Sequence, residues 1–353
     1  MKKIIYLPLF FLAFPISCSN KNAKKEILNV SDIKLKNIYS EEIIFDEMPM
    51  FPKGCSAVDS FLVLFEPKLN DGFLSLYSLT SNKLIKRYGK TGNGPCEFIN
   101  PRFFSNYPLN KKYLLIGDSK YLYRLNLDSI LMGYNHCENS ILNYIPAQLK
   151  GYNYILKSTD SIIIANVTGD SQLTFVDLKN NKSFSKNYFS KLKALDNIND
   201  FCYSTQVYDA YYSSYNGKII IAYKYFKYID IISENGDKLK SIYFPNFDAN
   251  IPKIKKINEM NVEIKDALYF YTFAYPTEKY FYCLCWNATS DEIDENKAIP
   301  EIHIFNWDGD LTSILKPDRP ISYFCIFDDK IYAIGMSSDF DLKIYKYPNV
   351  SLN

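Results

Sequence analysis

From about residue 50 onward the chain repeats one pattern, in which short apolar runs are separated by turn residues and fall into groups of four. The clearest group begins with VYDAYYSSY (207–215), turns at Asn216-Gly217 into KIIIAYKYF (218–226) and continues as KYIDIIS (227–233). Glu234-Asn235-Gly236-Asp237 then leads into KLKSIYF (238–244). Asn-Gly between strand-like runs is a strong hairpin signal, because both residues tolerate the positive φ that a two-residue turn needs. Four antiparallel strands in series form a meander, which is one blade of a β-propeller.

The same grammar recurs along the chain. It gives a first group at 54–89, a second opening at 101–107, a third at 151–189 and a fifth at 267–316. The sixth group, 321–348, has only three runs before the chain ends. Its missing strand is expected from EEIIFDE (41–47), which has no partner of its own and would close the ring, removing the exposed sheet edges of an open array. The fold expected is therefore all-β, a single six-bladed propeller of four-stranded antiparallel blades spanning 37–353.

The N-terminus reads differently. Lys2 and Lys3 precede an apolar run from Ile4 to Ile16, too short to span a bilayer as a helix, so residues 1–17 read as a signal peptide. Ser17-Cys18 closing that run resembles a bacterial lipobox, which implies lipidation of Cys18. The polar, Lys-rich stretch 18–36 then reads as a lipidated N-terminus and flexible tether. The expected location is outside the cytoplasm, on a membrane lipid anchor, in the outer membrane with the domain periplasmic or surface-facing.

Aromatic residues make up 16% of the chain, with 31 Tyr and 25 Phe, which suits strands. Lys and Arg (41) nearly balance Asp and Glu (39), so no strong positive field recruits nucleic acid. Beyond Cys18 the seven cysteines are irregularly spaced and do not form a disulfide framework, although an exported chain can hold one or two bridges. Cys283 and Cys285 lie two apart on a strand-like run, hence on one face, and read as small buried hydrophobes.

Residues 86–101, KRYGKTGNGPCEFINP, carry Gly92, Gly94, Pro95, Glu97 and Phe98 in the spacing of a G-x-G-P-G-E-F linker, with Cys96 in place of a glycine. The segment resembles the blade linker of NHL-like and TolB-like six-bladed propellers found among bacterial lipoproteins. That resemblance implies architecture and leaves function open. The linker reads as a blade-to-blade turn in which Phe98 plugs the gap between blades.

A meander puts the A–B and C–D turns on one face and the B–C and D–A connections on the other. The A–B turns are short, and the C–D turns at Asn235-Gly236 and Asp308-Gly309 are equally tight. Extra chain accumulates in the B–C and D–A connections, near 190–201, 245–266 and 287–299, and long loops in a compact domain mark the face to search for a site. Asp291, Glu292, Asp294 and Glu295 lack the glycine of a calcium loop, and Lys253, Lys255 and Lys256 read as a solvated run. The innermost strands, expected to wall the channel, are aromatic (Phe103, Tyr154, Tyr211, Tyr271, Phe324 and others), with Asp209 the one carboxylate. No metal site, cofactor fingerprint or hydrolase motif is legible.

The reading is a membrane-anchored, non-catalytic binding or scaffold propeller of the bacterial cell envelope, with a glycan or envelope protein as partner. Asn93, Arg102, Asp209, Tyr211 and Tyr271 are its candidate contacts. The alternative is an extracytoplasmic propeller enzyme, lactonase- or lyase-like, using carboxylates supplied by loops.

Overall fold

A computed structural model describes residues 24–28, 33–94, 96–104, 112–118, 121–134, 141–144, 153–158, 161–165, 171–188, 207, 210–215, 217–245, 252–258, 261–337, 339 and 341–348. The chain opens with three short strands, β1 (Lys24–Ile27), β2 (Lys34–Ile38) and β3 (Glu41–Ile43). Blade 1 is β4 (Cys55–Val58), β5 (Phe61–Phe65), β6 (Leu74–Ser78) and β7 (Lys83–Tyr88). The linker after it pairs β8 (Lys90–Thr91) with β9 (Glu97–Phe98). Blade 2 is β10 (Arg102–Phe103), β11 (Tyr113–Gly117), β12 (Tyr121–Asn126) and β13 (Ile141–Tyr144), with helix α1 (Leu127–Leu131) following β12.

Blade 3 is β14 (Asn153–Ser158), β15 (Ser161–Ala165), β16 (Leu173–Asp177) and β17 (Lys182–Lys186). Blade 4 is β18 (Ala210–Tyr215), β19 (Lys218–Tyr223), β20 (Tyr228–Ser233) and β21 (Lys238–Tyr243). A hairpin, β22 (Lys253–Lys256) with β23 (Val262–Lys265), fills the link to blade 5. Blade 5 is β24 (Tyr269–Pro276), β25 (Tyr280–Ala288), β26 (Glu301–Asn306) and β27 (Leu311–Pro317), with helix α2 (Ser290–Asp294) between β25 and β26. Blade 6 is β28 (Ile321–Phe327), β29 (Lys330–Met336) and β30 (Leu342–Tyr347), completed by β3.

Among the described residues there are thus six blade sheets, and the ring closes as expected. Strand β3 runs antiparallel to β30 with Glu41 opposite Lys346 and Ile43 opposite Ile344. Lys346 and Lys343 pair with Glu41 and Glu42 at 2.6 and 2.9 Å across that seam. At the inner end of the same closure, Phe324 of β28 lies in one buried cluster with Cys55 and Leu64 of blade 1.

Tight turns supply the left-handed residues that the hairpins demand. Asp328 and Asp329 both sit at positive φ, 50° and 56°, as a two-residue primed turn requires. Gly217 and Gly236 fill the same role at φ 73° and 79° in blade 4.

The stretch expected to be a flexible tether, 18–36, differs from that expectation over Lys24–Ile27 and from Lys34 on. Strand β1 pairs in parallel with β21, and β2 pairs in parallel with β27, each adding a fifth, outermost strand. An outer blade strand leaves a row of unpaired amides and carbonyls, and a passing extended segment satisfies them. Lys-rich composition concealed this because an outermost strand faces water: Lys34, Leu35, Lys36 and Asn37 are all exposed. Leu28 and Ile38 are the residues that turn inward, at 7% and 3% exposure.

Candidate functional site

The blade 1 to blade 2 linker is held by its own hydrogen bonds. Backbone bonds from Gly92 N to the Phe98 carbonyl (3.2 Å) and from Glu97 N to the Gly94 carbonyl (3.1 Å) fold it onto itself. The Glu97 carboxylate returns to accept the Gly94 amide at 2.8 Å. Both glycines lie against that carboxylate: a Cβ at Gly92 would run into Glu97 Oε2, and one at Gly94 would lie 2.9 Å from it. Cys96, standing where the resembled motif has glycine, adopts φ 63° in the left-handed region and is disulfide-bonded. Phe98 is buried, and its ring meets Phe73 of blade 1 at 5.0 Å and Tyr123 of blade 2 at 4.8 Å, both edge-on.

Of the expected contact residues, Asn93 is exposed on this linker and Arg102 is half-buried at the start of β10. Tyr211 is half-buried on β18. Tyr271 is fully buried in the cluster joining blades 4 and 5 and offers no surface to a ligand. Cys18, Pro95 and Asp209 lie outside the described residues. The innermost strands also do not simply wall a channel with aromatic rings. Along β24 and β28, Tyr271, Phe273, Tyr275 and Phe324 are buried, and Phe324 packs against Phe273 at 5.2 Å and Tyr275 at 6.1 Å in the seam between blades. Bulges in the β24 pairing redirect its side chains, which simple alternation could not foresee.

What the fold brings together instead lies at the long-loop end of the seam between blades 4 and 5. The four-residue connection from β19 to β20 carries Lys224, Tyr225 and Lys227, and the Phe270 amide donates to the Lys224 carbonyl at 2.7 Å, binding that loop to the start of β24. Lys224 Nζ lies 4.7 Å from the Tyr269 ring centre and 5.1 Å from that of Tyr225, and the two rings meet edge-on at 5.4 Å. All three side chains are half-buried. Beside them Lys227 Nζ stands 5.0 Å from the Phe244 ring.

Below this surface runs a buried chain of polar groups. Phe244 stacks on His303 at 5.2 Å. His303 is fully buried on β26, its Nε2 lies 3.2 Å from Glu301 Oε2, and its Nδ1 lies 3.2 Å from the Tyr271 hydroxyl. A carboxylate only accepts and a phenol can donate, so the neutral ring with its proton on Nε2 satisfies both partners. Burial holds the imidazole below its ordinary pKa, and the His303 hydrogen bond holds Glu301 below the usual carboxylate range. Cys283 and Cys285, on the next strand, are free and fully buried, and burial raises the Cys285 thiol to about 12, so neither is a nucleophile at neutral pH.

The acidic loop 287–299 has a structural use. Thr289 caps α2, its hydroxyl accepting from Glu292 N while Glu292 Oε2 accepts from Thr289 N at 2.8 Å. The sequence signal was Thr289-x-x-Glu292, a capping box. Among the described residues, no three His, Cys, Asp or Glu side chains converge to hold a metal ion.

Comparison with solved structures finds the same architecture at low sequence identity. A protein of Bacteroides fragilis described as exported aligns at TM-score 0.53 and 12% identity, covering 93% of this chain and 99% of that one. A member of the duf4221 family from Bacteroides vulgatus aligns at TM-score 0.52 and 10% identity, covering 90% and 99%. These likenesses extend to the fold alone. No curated protein matches the sequence. The model of the TolB-like 6-blade propeller-like family matches residues 24–329, and the chain, with six blades, a ring closed by β3 and the glycine-carboxylate linker, belongs to that family.

Proposed function

We propose that the chain is an exported bacterial lipoprotein, anchored through Cys18, whose propeller holds an envelope glycan or protein on its long-loop face without catalysing a reaction. The observation that carries the reading is the Lys224–Tyr225–Tyr269 group at the seam of blades 4 and 5, which offers ring faces and a cation side by side at a half-open surface. Tyrosine combines apolar area with a polar tip at little entropic cost, which suits hydroxyl-rich polymers and protein segments alike. Export is supported by the apolar run ending at Cys18 and by the oxidised Cys96, since disulfides persist in oxidising compartments.

The test is binding of the purified protein to isolated cell-wall glycan, to lipopolysaccharide and to detergent-extracted envelope proteins, in parallel with a Lys224→Ala/Tyr225→Ala/Tyr269→Ala variant. Loss of about tenfold in affinity for one of these, with thermal stability retained, supports the site. Undiminished binding by the triple variant places the site elsewhere.

A further inference from the structure

We infer that β1 fixes the orientation of the propeller on its membrane, with the short-turn face of blades 4 and 5 toward the bilayer and the long-loop face pointing away. The inference rests on the Cys18 anchor proposed above and adds a geometry that the anchor alone does not give.

The polarity of β1 is the basis. The strand is parallel to β21, entering with Lys24 opposite Lys240 and leaving with Ile27 opposite Tyr243. The Lys240 ammonium donates to the Asp308 carbonyl at 3.0 Å and lies 3.3 Å from Asp310 Oδ1, both in the β26–β27 turn of blade 5. That turn belongs to the short-turn face. At the other end, Phe244 follows Tyr243 and lies against Lys227, which belongs to the β19–β20 connection on the long-loop face. The chain therefore arrives at the propeller from the short-turn side.

The strand is held in place. Lys240 Nζ reaches Glu26 Oε2 at 2.9 Å, the Leu28 amide donates to the Tyr243 carbonyl at 2.9 Å, and the Leu28 side chain is buried in the cluster that joins blades 4 and 5. Six residue steps separate Cys18 from Lys24, a reach of about 20 Å when fully extended. Blade strands of six or seven residues are themselves about 20 Å deep before loops are added. For the long-loop face to meet the bilayer, a tether of that length would have to reverse direction at Lys24 and spend about half its reach running back past Tyr243, three strand steps further on, before clearing the loops beyond it, whereas the short-turn face needs no reversal. Lys224, Tyr225 and Tyr269 are then presented to whatever lies beyond the membrane surface.

The experiment uses the full-length lipidated chain on vesicles of phosphatidylethanolamine and phosphatidylglycerol that carry a headgroup quencher. A fluorophore is placed at Asp308→Cys on the short-turn face or at Lys255→Cys on the long-loop hairpin, in the same sector of the ring. Quenching several-fold stronger at 308 than at 255 is expected. Equal or reversed quenching on vesicles that do carry the protein overturns the orientation alone. Failure of the protein to float with the vesicles overturns the anchor and the orientation together. Inserting about twenty Gly and Ser residues between 22 and 23 lengthens the tether and is expected to erase the difference. A difference that survives the insertion overturns the tether as its cause.

Discussion

The Glu97 carboxylate accepts the Gly94 amide at 2.8 Å and occupies the space that a side chain on Gly92 would need. The two glycines and the glutamate therefore act as one unit. Gly92→Ala is expected to destabilise the fold by about 0.5–1.5 kcal/mol, because a Cβ there displaces the carboxylate and breaks its bond to the Gly94 amide. Glu97→Ala removes both the bond and the obstacle, so the double variant should cost clearly less than the sum of the singles. Urea unfolding of the four proteins checks this, and strict additivity would show the contact to be incidental.

Phe98 depends on that loop for its aim. Its ring sits between Phe73 of blade 1 and Tyr123 of blade 2, in the middle of a buried cluster that spans both blades. Truncation to alanine opens a cavity at the blade junction, with an expected loss of about 3–5 kcal/mol, whereas Phe98→Leu should cost less than half of that. Thermal melts followed by near-ultraviolet circular dichroism would record it, and a cost below about 1 kcal/mol for the alanine variant would refute the wedge.

Much of this was legible because turns and strands leave local signatures. Asn216-Gly217 and Asp328-Asp329 announce hairpins through the φ values they can take, and EEIIFDE (41–47) announces closure by being a strand without a neighbour. The outer strands β1 and β2 were not legible, since an exposed edge strand need bury only one or two residues and here buries Leu28 and Ile38. The seam site was missed for another reason. Lys224 and Tyr225 are forty-odd residues from Tyr269 in sequence, and no periodicity within a blade reports which residues of two blades meet. Tyr271 misled because the β24 bulges turn it into the core, where its hydroxyl meets His303.

The Glu301–His303–Tyr271 chain makes stability depend on acidity in a definite direction. Burial lowers the His303 pKa below its ordinary 6.5, so the unfolded chain takes up this proton first as pH falls. Stability is then fully present above about pH 6.5 and declines below it, by linkage. Glu301, lowered from 4.5, adds a loss of the same sign at still lower pH. Urea midpoints measured from pH 8 to 5 should fall in the wild-type protein, and the fall between pH 7 and 5 should be smaller in His303→Gln. An unchanged slope in the variant would assign the acid sensitivity to other groups.

The N-terminal strands differ in what they hold, and truncation should separate them. Removal of everything before residue 33 strips β1 from blade 4, losing the Leu28 burial and the Glu26–Lys240 pair but leaving four strands in every blade and a fifth, β2, on blade 5. One partly exposed ion pair and one leucine amount to about 2–4 kcal/mol, so the shortened protein should still melt cooperatively at a lower temperature. Removal of everything before residue 45 also takes β2 from blade 5, which keeps four strands, and β3, so that blade 6 keeps three strands and the edge of β30 stands open where Ile43 and Ile344 had met. An open edge in a ring invites pairing with other chains. This second truncation is expected to lose cooperative melting and to aggregate, as size-exclusion chromatography with calorimetry would show, and a monomeric, cooperatively melting product would mean that the ring is held by its inner seam between β28 and β4 and not by β3.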